Sequence, residues 1–280
     1  MNTAPAKAVG IPSFFEVVTP YIFLTRFGTN RSRLLLTGVW VVRQSMLRTN
    51  SEEILDSEEC PALETQKSLR DLCRINRWFG GVGTTRKLIF RVASVASLKR
   101  VTLLEVAAGF GEVPRTAGLQ LARRGITLDI TDLDRVPSHL RPRHRALAAD
   151  ALALPFRDST FDMVSCSLFA HHLQPEELRQ FATEALRVSR HAFVINDLIR
   201  HPLHLALVYA GFPLMRSYVS RVDGVASVKR AYTPEEVREI VSETPQTSKV
   251  DVSTHYLFRM GVILWKSQRG SNEGPMETAA

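Results

Sequence analysis

The chain has little sulfur with which to cross-link itself. Its three cysteines, Cys60, Cys73 and Cys166, are odd in number and stand in no CxxC spacing. Neither a disulfide framework nor a cysteine-based zinc site is signalled, so a reducing, cytoplasmic setting is the default and no metal ligand is assigned. Long apolar runs are also missing: LLLTGVWVV at 34–42 falls far short of the roughly 18 to 20 residues of a membrane span. No transmembrane helix is expected. A dominant charge is lacking over most of the chain as well. Lys and Arg number 36 against 28 Asp and Glu, a net +8, but residues 1–45 hold five basic side chains and one acid, Glu16, so half of that excess sits there. The thin remainder argues against a nucleic-acid partner. No internal repeat is visible.

What is present is a globular composition, with 45% hydrophobic and 23% charged residues in 280. Residues 1–45 keep no period of 3.6 or 2 for long and are expected to be a poorly structured extension. Three accounts stand: an Arg-rich transit peptide, a basic surface anchor, or upstream sequence translated from an early start codon. The third is favoured, because Met46 is soon followed by the polar, acidic SEEILDSEEC.

Residues 46–98 read as an N-terminal helical cap. LETQKSLRDLCRINRWF places Leu69, Leu72, Ile75 and Phe79 on one stripe, Gly80 and Gly81 stop it, and TTRKLIFRVASVAS follows with Thr84 or Thr85 as its cap. From 99 to 267 short apolar runs alternate with helical stretches, the grammar of an α/β, Rossmann-like doubly wound sheet, mostly parallel, with helices on both faces. The insertion at about 200–230, with Leu203, Leu207, Phe212, Leu214, Met215 and Tyr218, suits an apolar lid, and Thr233 caps a helix before Pro234. SKVDVSTHYLFRMGVILWK supplies a C-terminal antiparallel strand pair divided near 259–261, and 268–280 reads as a flexible tail.

The informative stretch is LLEVAAGFGEVP at 103–114, an apolar strand running into Glu105, a small-residue turn, and a helix that accepts Pro114 in its first turn. Such a turn lets a nucleotide-like ligand approach the backbone beside free helix N–H groups. Pro114 occupies the third glycine place of GxGxxG, and no GK[ST] follows, so a dinucleotide site and a P-loop are both disfavoured. Glu105 would repel phosphates and suits a cationic ligand. Asp134 lies at the end of the next strand, where a carboxylate can accept both hydroxyls of a ribose, with Asp132 as its rival. Asp150 ends a short strand and is placed to accept from an amino group.

LLEVAAGFGEVP, DLD, ADALALPF and FDMVSCSLFAHHL, in this order, resemble the class I S-adenosylmethionine-dependent methyltransferases, in the branch of ubiquinone and menaquinone biosynthesis enzymes and their small-molecule relatives. The likeness covers roughly residues 65–266. It implies S-adenosyl-L-methionine as cofactor, with Glu105, Ala107, Gly109 and Gly111 around its methionine part and Asp134 on its ribose. It further implies Asp150 and Ala151 at the adenine, and Cys166 and Ser167 beneath the sulfonium. Ala107 departs from the family, which has glycine there, and puts affinity in question.

His171 and His172 follow the fourth strand and are the candidate catalytic base or orienting groups, His171 ahead. Asp197 and Arg200, after the fifth strand, either face the acceptor or pair with each other. The expected function is methyl transfer to oxygen or carbon of a phenolic, quinol or polyketide-like acceptor. The competing readings are an RNA or protein methyltransferase, which the missing N/DPPY-type signature disfavours, and a degenerate binding protein. A peripheral membrane contact through the basic lid residues stays open.

Overall fold

The computed structural model describes residues 46–51, 53–56, 60–142 and 144–267, so the expectations for 1–45 and 268–280 lie outside the described residues. Seven strands form one sheet: β1 (Arg100–Val106), β2 (Thr127–Asp134), β3 (Ala146–Ala148), β4 (Phe161–Ser167), β5 (Ser189–Leu198), β6 (Thr247–His255) and β7 (Arg259–Lys266). Their order is β3-β2-β1-β4-β5-β7-β6. The first five run parallel, and β7 lies antiparallel to both β5 and β6, wedged between them. The helices are α1 (Ala62–Trp78), α2 (Gly81–Val95), α3 (Glu112–Ala122), α4 (Pro175–Val188), α5 (Pro202–Ala210), α6 (Tyr218–Arg230) and α7 (Pro234–Ser242).

The central strands are nearly continuous apolar runs because both of their faces are covered. Alternation then divides each run between two cores. Leu104 and Val106 of β1 join Val164 and Cys166 of β4 and Phe181 of α4 on one face. Val101 and Leu103 join Met163, Val194 and the α2 residues Ile89 and Val92 on the other. Helix α4 buries Leu178, Phe181, Ala182, Ala185 and Leu186, the 3-and-4 spacing of one helical stripe. Each large apolar side chain buried this way stabilises the fold by about 1.5 to 3 kcal/mol. The Thr233 cap of α7 holds as expected, its hydroxyl accepting from Glu236 N–H while the Glu236 carboxylate accepts from Thr233 N–H.

Three sequence expectations need correction. Helix α2 starts at Gly81, not at Thr84 or Thr85, since Phe79 and Gly80 suffice to reverse the chain. Both threonines are buried in its first turn, where the Thr85 hydroxyl accepts from Asn196 Nδ2 at 2.8 Å. Of the expected apolar stripe only Leu69 is fully buried, and α1 buries the polar Ser68, Asp71 and Asn76 beside it. The reason is its partner: α1 packs on the start of α6, where the Asp71 carboxylate accepts from Arg216 N–H at 2.7 Å and Ser217 N–H at 2.9 Å. The break between the last two strands falls at 256–258 instead of 259–261.

Candidate active site

β1 delivers its last side chains to a tight turn at the carboxyl edge of the sheet. Ala107 has φ 54, Gly109 φ 51 and Gly111 φ 65, and α3 begins at Glu112. This left-handed region is open to glycine and costs a side-chain-bearing residue about 1 to 2 kcal/mol, so the departure at Ala107 carries local strain. At Gly111 a Cβ would sit 2.6 Å from Asp132 Oδ2, which leaves room for no side chain. Ala108 N–H donates to the Leu133 carbonyl at 3.0 Å, tying the turn to the end of β2.

Three carboxylates surround this turn. Glu105 is 1% exposed and hydrogen-bonded by the Ser165 hydroxyl. Burial pushes its carboxyl up to about 7, against the lowering effect of the Ser165 and Ser167 hydroxyls. Asp132 accepts from Arg115 Nη1 at 2.9 Å and lies 3.2 Å from His144 Nδ1, so its charge is committed to an ion pair. Asp134 accepts from Gly109 N–H at 2.9 Å through one oxygen and from Val136 N–H at 3.0 Å through the other, and it keeps lone pairs for a further donor. A ring of acids fits a ligand with an ammonium or sulfonium charge and a diol, and it does not fit a pyrophosphate. A cleft of about 580 Å³ opens beside the turn, lined by Phe110 with Gln66 and Arg70 of α1 and with Ser138, Arg141, Pro142 and His144.

The other predicted cofactor residues are less uniform. Asp150 is exposed and its Oδ1 caps the N–H of Leu152 at 2.9 Å. Ala151 is buried in the apolar core, and so is Cys166, whose thiol is pushed up by burial and by the nearby Asp197 and Glu105 charges. Ser167 ends β4 half-buried, 3.5 Å from the Thr85 hydroxyl.

The residues expected on the acceptor side sit at the ends of β4 and β5. A 3-10 turn, Ala170–His172, carries both histidines. His171 is 2% exposed; its backbone N–H donates to Asp197 Oδ2 at 3.0 Å and its Nδ1 lies 2.7 Å from Asp197 Oδ1. Asp197 is therefore paired with His171, and not with Arg200. Arg200 instead donates to Glu236 and to the carbonyls of Met46 and Ala231, anchoring α7 and the segment at 46.

Sequence reasoning missed Glu53 and Arg48. Glu53 Oε1 lies 3.3 Å from His171 Nε2, without the alignment of a hydrogen bond, and its Oε2 lies 3.6 Å from His172 Nε2. The Ser227 hydroxyl of α6 donates to Oε1 at 2.7 Å. Arg48 donates to the carbonyls of Arg230, Leu173 and His171 and lies over the Tyr232 ring at 4.1 Å. Asp223 of α6 accepts the N–H groups of Ile54 and Leu55. Residues 48–51 and 53–55 thus lie as a strap across the histidine turn. Burial opposes a charge on His171, yet the Asp197 and Glu53 carboxylates outweigh it and raise the imidazole to about 10. No local pattern in SEEILDSEEC marks Glu53, which meets its partners only through the fold.

Residues 104–192 match the methyltransferase domain family. The fold is shared with solved structures of S-adenosylmethionine-dependent methyltransferases. Residues 104–192 are thus matched as a methyltransferase domain, set in the fold those structures share. One similar structure is a methyltransferase of that kind from Aquifex aeolicus, 15% identical, TM-score 0.50, covering 72% of this chain and 98% of that one. The plantazolicin methyltransferase BpumL in complex with SAH is 12% identical with a TM-score of 0.53, covering 74% and 96%. The plantazolicin methyltransferase BamL, in complex with a triazolic desmethylPZN analog and SAH, is 12% identical with a TM-score of 0.54, covering 73% and 91%. No curated protein matches the chain. The methyltransferase domain has no helix, among the described residues, long and apolar enough to cross a membrane.

Proposed function

We propose that this methyltransferase moves the methyl group of S-adenosylmethionine to an oxygen or carbon of a small phenolic, quinol or polyketide-like acceptor. The observation that carries the reading is the buried pair His171 and Asp197, 2.7 Å apart at the carboxyl ends of β4 and β5, where open α/β sheets take their ligands. The cofactor supplies an electrophilic methyl on a sulfonium; the chain supplies placement and the exclusion of water.

Glu105, Ala107, Gly109 and Gly111 enclose the methionine part, Asp134 accepts the ribose hydroxyls, Asp150 and Ala151 border the adenine, and the strand end at Cys166 and Ser167 underlies the sulfonium. His172 orients the acceptor, and His171, buried with its ring nitrogens toward Asp197 and Glu53, holds the turn that carries it. Arg200 supports that wall through Glu236 without contacting the acceptor. The exposed Leu203, Leu207, Leu214 and Tyr218 of the insertion offer apolar surface to a greasy acceptor.

Incubating the full chain with labelled S-adenosylmethionine and a panel of phenols, quinols and polyketide-like acids tests this, with RNA and protein as alternative acceptors. Label on one class of the small acceptors is expected. Label on RNA or protein alone, or no cofactor binding at all, contradicts the proposal.

A further inference from the structure

We propose that Glu53, His171 and His172 form a binding site for one divalent transition-metal cation of the Zn²⁺ kind. One carboxylate and two imidazoles each offer a ligand atom, and these atoms all lie within 4.8 Å of one another. The two imidazoles face the two carboxylate oxygens, His171 Nε2 lying 3.3 Å from Glu53 Oε1 and His172 Nε2 3.6 Å from Glu53 Oε2, near the roughly 3.3 Å between ligand atoms of a tetrahedral ion with bonds of about 2.0 to 2.1 Å. A small rotation of His172, the least buried of the three, closes the set.

A second observation points to a ligand. His171 Nε2 is fully buried and aimed at this point, yet no hydrogen bond satisfies it. Orphaned buried nitrogens are rare and call for an occupant. Its other nitrogen, Nδ1, is held by Asp197 at 2.7 Å, the carboxylate–histidine support that fixes the tautomer and ring plane of a ligating imidazole. Glu53 has a support of its own in the Ser227 hydroxyl at 2.7 Å. The nearby cations do not compete for the spot. Arg48 spends its donors on the carbonyls of Arg230, Leu173 and His171 and on the Gln174 side chain, and Arg230 Nη2 donates to the His172 carbonyl.

Two imidazoles and a carboxylate leave a coordination position open, which is the arrangement of catalytic and not of structural zinc. The histidines sit in the turn that follows β4, on the side proposed for the acceptor, so a bound ion would be placed to take an acceptor oxygen; this use rests on the proposed methyl transfer, whereas the ion's binding does not. The alternative occupant of the cluster is a proton on Nε2, giving an imidazolium between two carboxylates.

Metal binding separates the two. The full chain is stripped with a chelator and titrated with Co²⁺, followed by its visible d–d absorption, and then with Zn²⁺ in competition. One equivalent bound is expected, with Glu53→Gln and His172→Ala each weakening Co²⁺ by at least about 100-fold and Asp197→Asn by 10- to 100-fold. Glu53→Asp should recover part of the loss, and circular dichroism and the melting temperature establish that each variant is folded. No stoichiometric Co²⁺ or Zn²⁺ in the folded parent, or full retention in folded Glu53→Gln or His172→Ala, overturns the site. Cofactor affinity is measured on the same samples. Metal bound without methyl transfer to any acceptor would sink the proposed function and leave the site standing.

Discussion

The proposed cofactor end of the site is assembled within a single strand–turn–helix–strand unit, Glu105 to Asp134, while the proposed acceptor end gathers a strap at 48–51 and 53–55, the turn at 170–172, Asp197 and the face of α6. At the first end the partners are near in sequence: Gly109 and Asp134 are 25 residues apart. At the second, Arg48 reaches across 182 residues to Arg230, and Glu53 across 174 to Ser227. Local construction makes a site robust and recognisable. Remote construction makes it depend on every piece of chain that closes it.

The sharpest way to break this contrast is to remove the strap. A chain starting at Met46 should keep its fold, while one starting at Cys60 loses Arg48 and Glu53 and leaves buried polar partners unmatched. Losing one side of a buried charge cluster costs about 3 to 5 kcal/mol. Thermal and denaturant unfolding of the two truncations should differ by that order, and equal stability would show that the strap is ornamental.

A smaller effect probes the other end. Glu105 has its folded pKa raised to about 7, so the neutral carboxyl is the form the free fold favours. The stability it lends is full below its ordinary pKa of about 4.5 and is lost as pH rises through 7. A cationic cofactor reverses the preference by pairing with the ionised form. Affinity for S-adenosylmethionine should therefore rise about tenfold between pH 6 and 8 and stay flat in Glu105→Gln. A parent whose affinity ignores pH would separate Glu105 from the cofactor.

The smallest expected change is at Ala107. Replacing it with glycine removes a left-handed Cβ and should stabilise the fold by about 1 kcal/mol, or roughly 2 to 4 °C in Tm. A lower Tm would mean that the methyl group packs usefully.

The same contrast explains what could be read from the residues. The glycine turn, the carboxylates after β1 and β2, and the alternation of strands and helices are patterns of neighbours, so the fold and the acid-rimmed turn were legible. His171, His172 and Asp197 were singled out by their places at strand ends, but their pairing was not, and neither was the pairing of Arg200 with Glu236. Glu53 was invisible because a glutamate in a polar, acidic stretch looks like any solvated acid. The polar face of α1 escaped for a related reason: its partner is the start of α6, about 145 residues away, and hydrophobic periodicity says nothing of buried hydrogen bonds.

Calorimetric titration of S-adenosylmethionine into the parent and Asp134→Ala tests most directly the claim that the acid-rimmed turn is the cofactor site. The account predicts one equivalent bound by the parent and a loss of about 1.5 to 3 kcal/mol in the variant, the order of a hydrogen bond to a charged group. Equal affinity in a folded Asp134→Ala would contradict it and take the cofactor away from this turn.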